Sequence, residues 1–539
     1  MITNKEPYKF FERRLQIMNE HNNAEAIGMG SIGWENCEYM PEAVWCESSG
    51  DFSLPEYMPE IGKMLKVEPR IVPSGKYIGS DRAEFSGSVV YSVLYTGEDG
   101  VPFYTTLSGD YEYNVPLGEA SDAQRIEIYD EPSLESVSVR PSGPRKISVR
   151  TRIKSQPHIM YERGNELPTP YDTDDGGYQT LCEECNVTHS GHFESGEFEI
   201  SDVFSLDASP EAEPVGCEGG VCISELVFSH AGVICRGDVE YRVLYFDIRG
   251  GVRKLFCTKK KVRFEREIQC AQLADMTGAR AYGRVISADM SSEEGSSDIT
   301  VNLCVNIRGE YTVQKKSKFL CDIYSCTHEL DIVRAPQQYR KNVLCKNFNF
   351  SYHAQKKFSE AGMGGCDIHA LYGNAEIESV EISDGVAHVN GEISIDCIIS
   401  DSERDGGEYS CFNIPMPFKC ELPVVGTAQK YDISIMPDVS GVRARSDREG
   451  ISADAELYLS VFISGCDTLT TVKNVEKTGA HPPRPSSVTV YFPDEGESLW
   501  SVGKKYSVSI DSLCKMNDIS AASPACSDSL AGIGRILIV

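Results

Sequence analysis

No stretch of this 539-residue chain is apolar over the ~18 residues that a membrane-spanning helix requires, so membrane insertion is not expected. The first residues form no apolar leader: Asn4, Lys5, Glu6 and Lys9 interrupt Met1 to Phe10, and Glu12, Arg13 and Arg14 follow. Classical export is therefore not expected. Basic residues are in deficit, 52 against 81 acidic, for a formal net charge of −29. The average surface repels phosphate backbones, and nucleic acid is not an expected partner. The clearest basic run, Lys259 to Lys261, leads into Val262 and Phe264 and reads as a solvated strand end. Catalytic signatures are missing too: there is no P-loop, no Gly-x-Ser-x-Gly elbow and no His-Glu-x-x-His. The acid pair Glu293-Glu294 lies in a Ser- and Gly-rich loop, where solvated charge is the default. Neither an enzyme nor a cofactor is expected.

Cysteine, by contrast, is plentiful. Twenty thiols spread along a chain without an export signal favour a reducing cytosol over a disulfide framework. Cys182, Cys185, His189 and His192 have the donor chemistry of a tetrahedral zinc site, but their spacing is too tight for a common finger, so no metal is expected. Gly28, Gly30 and Gly33 match the spacing of a dinucleotide fingerprint. No apolar strand precedes them and no convincing helix follows, which leaves a loop as the better reading.

A repeat organises the chain. Gly87-Ser88-Val89-Val90-Tyr91-Ser92-Val93-Leu94-Tyr95 is echoed by Gly237-Asp238-Val239-Glu240-Tyr241-Arg242-Val243-Leu244-Tyr245, and more weakly by Gly391 to Ile399. The three copies begin 150 and 154 residues apart. Each alternates apolar with polar or small residues, the period of a strand with one buried face. Gly97 to Gly100, Gly250-Gly251 and Asp405 to Gly407 then supply turn residues for a hairpin. A second strand-rich half recurs at Lys146 to Ile153, Asp298 to Leu303 and Ala453 to Val461. Units of this kind predict compact β-sandwich or barrel-like domains.

Helix signals are few. Glu6 to Asn22 reads as a short N-terminal helix, and Lys477 to Pro485 as an extended Pro-rich linker. Beyond it, Val488 to Phe492 reads as a strand, and Ser498 as the N-cap of a two-turn helix over Leu499 to Tyr506. A second helix starts at Ser509 with Leu513 and Met516 toward the core, and Asn517 suits the left-handed position that ends it. Arg535 to Val539 closes a β-α-α-β module. Trp500 lies about 100° around the helix from Leu499. It is either a core aromatic or, if exposed, an interface anchor.

This module resembles a LysM domain: Gly496-Glu497-Ser498-Leu499 stands for the Gly-Asp-Thr-Leu turn, Tyr506 and Leu513 for spaced core positions, and Asn517 for the Asn before the closing strand. Glu497-Ser498 replaces Asp-Thr, Gly503 replaces the usual Ala, and Ser520 to Gly534 is longer than usual. Leu54 to Ile61, the Gly-to-Tyr motif, Pro144 to Val149 and Asp322-Ile323-Tyr324-Ser325 resemble SPOCS domains. Together they resemble the SipL-like family of spore coat morphogenetic proteins, with three SPOCS domains and a C-terminal LysM.

The resulting expectation is a mainly β chain: residues 1–48 an N-terminal helix and loop, 49–165, 166–327 and 328–470 three repeats, 471–485 a Pro-rich linker and 486–539 the LysM-like module. The resemblance implies a cytoplasmic, mother-cell protein at the forespore surface that binds a basement-layer coat ATPase of the SpoIVA type. The groove residues would be Gly496, Glu497, Ser498, Leu499, Trp500, Asn517, Asp518 and Ile519. The alternative is a module that binds peptidoglycan or N-acetylglucosamine chains at the cortex or cell envelope.

Overall fold

The computed structural model describes residues 33–123, 125–165, 177–209, 212–249, 251–270, 276–292, 298–358, 366–401, 408–424, 426–481, 488–494, 496–519 and 535–538. The chain is mainly β, and its sheets are antiparallel.

In the first unit the strands are β1 (Gly33–Tyr39), β2 (Val44–Ser53), β3 (Lys63–Ile78), β4 (Arg82–Thr96), β5 (Pro102–Pro116), β6 (Arg125–Tyr129), β7 (Ser133–Gly143), β8 (Lys146–Ser155) and β9 (His158–Asn165). They form sheets ordered β3-β4-β5, β2-β8-β7 and β1-β9-β6. The second unit has β10 (Tyr178–Ser205), β11 (Glu213–Phe228), β12 (Gly232–Arg249), β13 (Val252–Gln269), β14 (Met276–Ser292) and β15 (Asp298–Ser325). The third has β16 (His328–Lys357), β17 (Cys366–Ser383), β18 (Val386–Asp401), β19 (Ser410–Pro423), β20 (Lys430–Ser446) and β21 (Gly450–Ala480).

The same plan recurs in each unit: a three-stranded meander (β3-β4-β5, β11-β12-β13, β17-β18-β19) packs with strands whose middle member is the last of the unit, and in the second unit β11 also pairs with β14 at Val221 and Gly283, which joins the two halves into one six-stranded sheet ordered β10-β15-β14-β11-β12-β13. Single long strands in units two and three correspond to broken ones in unit one. The gaps there hold Pro41, Pro132 and Pro157, residues that cannot donate to a sheet ladder.

The motif glycines have a structural reason. Gly87, Gly237 and Gly391 lie opposite Pro73, Ile223 and Ile377, and in each pair the register slips immediately afterwards. A Cβ on Gly237 or Gly391 would stand 2.1 Å from the carbonyl oxygen of Cys222 or Glu376. On Gly87 it would stand 2.5 Å from the Tyr111 hydroxyl and 2.6 Å from Val72 O. A bulge with a bare backbone opposite it is thus built into all three hairpins.

Alternation along the motif strand fills each sandwich: Val89, Tyr91, Val93 and Tyr95 in the first, Val239, Tyr241, Val243 and Tyr245 in the second, and Ile393, Ile395, Cys397 and Ile399 in the third. The opposite face is covered as well. Leu94, Leu244 and Ile398, at the same place in the three motifs, meet in one apolar cluster with Leu65, Phe246, Leu255, Ala370, Tyr372 and Tyr409. The units therefore close into a ring. Lys66 reaches Asp396 of the third unit at 2.8 Å, Arg70 donates to Val285 O of the second at 3.0 Å, and the Leu255 N–H of the second donates to the Tyr409 hydroxyl of the third at 3.1 Å.

A second meeting point is ionic. His158, Glu310 and Phe462 are spaced 152 residues apart and occupy equivalent places on the three closing strands. His158 Nδ1 lies 2.7 Å from Glu310 Oε1, and its ring is 5.3 Å from that of Phe462. Arg280 Nε donates to Glu310 Oε2 at 2.7 Å, and Arg340 pairs with Glu38 at 3.1 Å and Asp432 at 3.2 Å. Both guanidinium groups lie over the Phe462 ring, at 5.2 and 5.7 Å.

Several boundaries differ from the sequence reading. Residues 33–48, assigned to an N-terminal loop, form β1 and part of β2, paired with β9 and β8. The expected helix over residues 6–22, and Gly28 and Gly30, lie outside the described residues, while Gly33 opens β1. Residues 471–480, read as linker, continue β21 and pair with β16 as far as His328. Val472 and Val475 are buried there beside Ile323, so this part is core. The prolines from Pro482 to Pro485, the turn glycines Gly250, Gly406 and Gly407, and Glu293-Glu294 lie outside the described residues. Lys259 is no solvated strand end: it is mid-strand, and its ammonium donates to Val442 O of the third unit at 3.0 Å. Among the described residues no disulfide joins two cysteines, and no helix is long and apolar enough to cross a membrane.

Candidate functional site: the C-terminal module and its seat

The module is built from β22 (Thr489–Tyr491), α1 (Leu499–Tyr506), α2 (Ile510–Met516) and β23 (Ile536–Ile538). β22 and β23 pair antiparallel, and Leu499, Val502, Val508, Leu513, Cys514, Ile536 and Ile538 make its core. Ser498 caps α1 in a reciprocal box: its Oγ accepts from Ser501 N at 3.2 Å, while Ser498 N donates to Ser501 Oγ at 3.0 Å. Ser507, at φ 54°, ends that helix in the left-handed region.

The residues singled out from sequence divide into two groups. Gly496, at φ 88°, and Asp518, at φ 52°, are exposed at turns, and Glu497 and Ser498 are half-buried beside Gly496. The Glu497 carboxylate accepts from Asp494 N at 2.9 Å and from the Tyr491 hydroxyl at 2.7 Å, and these bonds hold its pKa below the ordinary value. The others serve structure. Leu499 is core, and Ile519 packs on it. Asn517 Oδ1 accepts from Leu537 N at 2.7 Å, and its amide donates to Leu513 O and Leu537 O, each at 2.9 Å. Its φ of −111° places it outside the left-handed region, which falls to Asp518 instead. Met516 is 40% exposed and does not face the core.

Trp500 resolves against solvent exposure, at 8%. It points away from the module core into an arm formed where β10 and β15 run on past the ring and pack against β16 and β21 through Ile323, Val472 and Val475. From Glu310 at the ring to Asp322 the strand advances about 40 Å at ~3.3 Å per residue.

On that arm Asp322 collects three partners: the Trp500 indole N–H at 2.9 Å, the Lys504 ammonium at 2.6 Å and Arg334 at 2.5 Å. Burial works to raise the Asp322 pKa, but the bonds from Lys504 and Trp500 outweigh it and hold it below the usual carboxylate value. The Tyr324 ring meets Trp500 edge-on at 4.9 Å, its hydroxyl donates to Val508 O at 2.7 Å, and Gln179 Oε1 accepts from Ile510 N at 3.1 Å. A Cβ on Gly503 would fall 2.5 Å from the Tyr324 hydroxyl, so the close approach of α1 to Tyr324 requires glycine there. Sequence reasoning quoted Asp322 and Tyr324 only as part of a resemblance and missed Gln179 altogether. Nothing local marks residues whose partners lie 178 to 184 positions away, as for Asp322 and Tyr324, or 331 away, as for Gln179.

Cys182, Cys185, His189 and His192 lie along β10 opposite Leu320, Ser317, Val313 and Glu310. From first to last they span about 33 Å at strand rise, so they do not converge on one ion. No group of three or more metal-ligating side chains is arranged to hold an ion among the described residues. Compared with family models, with curated proteins and with solved structures, the chain matches none.

Proposed function

We propose that the protein is a non-enzymatic assembly factor of the spore coat, with the ring of β units as scaffold and the C-terminal module docking a protein of the basement layer, an ATPase of the SpoIVA type. The observation that carries the protein-binding reading is where apolar surface is left uncovered. Val488, Val490 and Phe492 are 56%, 50% and 68% exposed at alternate positions along and beside β22, with Met516 elsewhere on the same small module. An apolar patch with a polar rim fits a protein partner better than a sugar chain.

The test is calorimetric titration of the full chain with the purified coat ATPase and, separately, with N-acetylglucosamine oligomers. ATPase binding that Phe492→Ser and Val490→Thr weaken at least tenfold, in protein with unchanged thermal unfolding, is the expected result. Oligosaccharide binding with no response to the ATPase would replace this reading with a peptidoglycan-binding one.

A further inference from the structure

Where the first two units meet they leave a cavity of about 420 Å³, and its walls form where strands break their pairing. Three register shifts reach it: Ser74 in β3 lies between Pro73 and Gly75, Ser195-Gly196 in β10 between Glu194 and Glu197, and Ile286 in β14 between Val285 and Ser287. A fourth wall is Asp130-Glu131-Pro132, the break between β6 and β7 where units two and three run the single strands β14 and β20. Bulges re-aim side chains, and here they bring charged and amide groups to line one space. The charges nearly cancel. Lys76, Arg284 and Arg308 stand against Asp130, Glu131, Glu194 and Glu197, and burial holds His192 below its ordinary 6.5, so that it adds no charge. Most of these groups are already engaged: Arg284 meets Glu131 at 3.0 Å, Arg308 Nε and the Asn306 amide both donate to Glu194 Oε1 at 2.9 Å, and Asp130 accepts from Ser155 at 2.7 Å and from Tyr113. An anion entering this space would face four carboxylates, and a cation three basic side chains.

What the pairing leaves over is hydrogen-bonding capacity of both signs. Among the described residues the Lys76 ammonium makes one hydrogen bond, to Ile128 O at 3.1 Å, and Glu194 Oε2 and Asn306 Oδ1 make none. Beside these groups Phe85, Tyr111 and Tyr113 form an aromatic wall, with rings 13° and 11° from parallel at 5.2 and 6.1 Å. We propose that the cavity between the first and second units is a binding site for a short uncharged saccharide, its hydroxyls held by Lys76, Glu194 and Asn306 and its apolar C–H face set against the aromatic wall. A hydroxyl both donates and accepts, so it satisfies a free ammonium proton and a free carboxylate oxygen alike without adding charge to a balanced space. The volume falls in the range of small-molecule sites, roughly 300–1,000 Å³. The site is separate from the C-terminal module, and the proposal does not depend on what that module binds.

Calorimetric titration of the full chain with maltose, cellobiose and N,N′-diacetylchitobiose tests it, with inorganic phosphate and glycine as the charged comparisons. Two variants probe the site. Lys76→Ala with Glu194→Ala removes polar groups from exposed positions, and Ser74→Trp narrows the cavity from an exposed bulge without deleting any bond. The expected result is binding of at least one disaccharide, weakened about tenfold or more by each variant, in protein whose thermal unfolding is unchanged, and left alone by Phe492→Ser on the module. Silence from all three disaccharides up to about 10 mM overturns the proposal. So does phosphate or glycine binding in their place, which would mark the space as a site for charge. Sugar binding that Phe492→Ser abolishes and both cavity variants leave intact would belong to the C-terminal module, and would overturn the proposal as well.

Discussion

His158 is buried between Glu310 and Glu38, and the sense of its titration follows from what surrounds it. Burial and the Arg340 guanidinium work against its charge, but the hydrogen bonds to the two carboxylates prevail and raise its pKa above the ordinary 6.5. Glu38 and Glu310 go the other way: burial would raise them, yet Arg340, Arg280 and His158 bring both from 4.5 to about 2. The imidazolium's contribution is therefore full below about pH 6.5 and is lost as pH rises through the folded value. The carboxylates contribute above about pH 4.5 and lose that contribution as pH falls toward 2. The stability gap between the wild type and His158→Gln should be widest between about pH 4.5 and 6.5 and close on the alkaline side. Melting temperatures from about pH 4.5 to well above 6.5 check it, and a gap that does not narrow on the alkaline side would refute the charged histidine. Glu310→Gln leaves Arg280 buried beside a neutral group and should cost about 3–5 kcal/mol. In the module, Asn517→Ala removes three hydrogen bonds, two of them tying the end of α2 to Leu537 of β23 and one to Leu513 O within α2, and should cost about 1–3 kcal/mol locally. Hydrogen exchange should then report loss of protection at Leu537 with ring amides unaffected.

Each hairpin carries its own internal control, because the bulge glycine recurs in three sequence contexts. Adding a methyl group there drives a Cβ into the partner strand, which as overpacking costs about 1–3 kcal/mol. The order is set by what is struck. Gly237→Ala and Gly391→Ala meet a backbone carbonyl at 2.1 Å, whereas Gly87→Ala first meets the Tyr111 hydroxyl at 2.5 Å and then Val72 O at 2.6 Å. Urea midpoints should fall least for Gly87→Ala; equal losses would mean that the bulges relax alike.

The hairpins that lead on from each motif strand, β4-β5, β12-β13 and β18-β19, were legible in the sequence because a strand and its turn are written in adjacent residues, whereas the bulges opposite Gly87, Gly237 and Gly391 were not. The helices of the module were legible too, since their caps lie within four residues of what they cap. The seat of Trp500 was not legible: periodicity places the indole off the core face, but whether water or Asp322 covers it depends on chain 178 residues away. The strand at 471–480 was hidden by its threonines, lysines and glycine, with Val472 and Val475 too sparse to show a period. One signal was available and unused: Val93-Leu94-Tyr95 and Val243-Leu244-Tyr245 break their alternation with consecutive apolar residues, the mark of a strand buried on both faces.

That second buried face is what makes the three units one body. Leu94, Leu244 and Ile398 come from separate sandwiches, and each is buried only because the other two units are in place. Leu244→Ala should remove apolar contact and leave a cavity at the junction, at a cost of about 2–5 kcal/mol. The loss is shared, since none of the three units owns the cluster. Unfolding in urea, followed in parallel by tyrosine fluorescence and far-ultraviolet circular dichroism, should move to lower midpoint as one transition. The same should follow from Leu94→Ala, although that residue belongs to a different unit. Were Leu244→Ala to split the curve, with the second unit melting ahead of unchanged neighbours, the ring would be three sandwiches resting side by side. Coincident shifts from both substitutions would mean that closure around the junction, with the ionic contacts at His158, Glu310 and Arg340, holds the scaffold as a single cooperative unit.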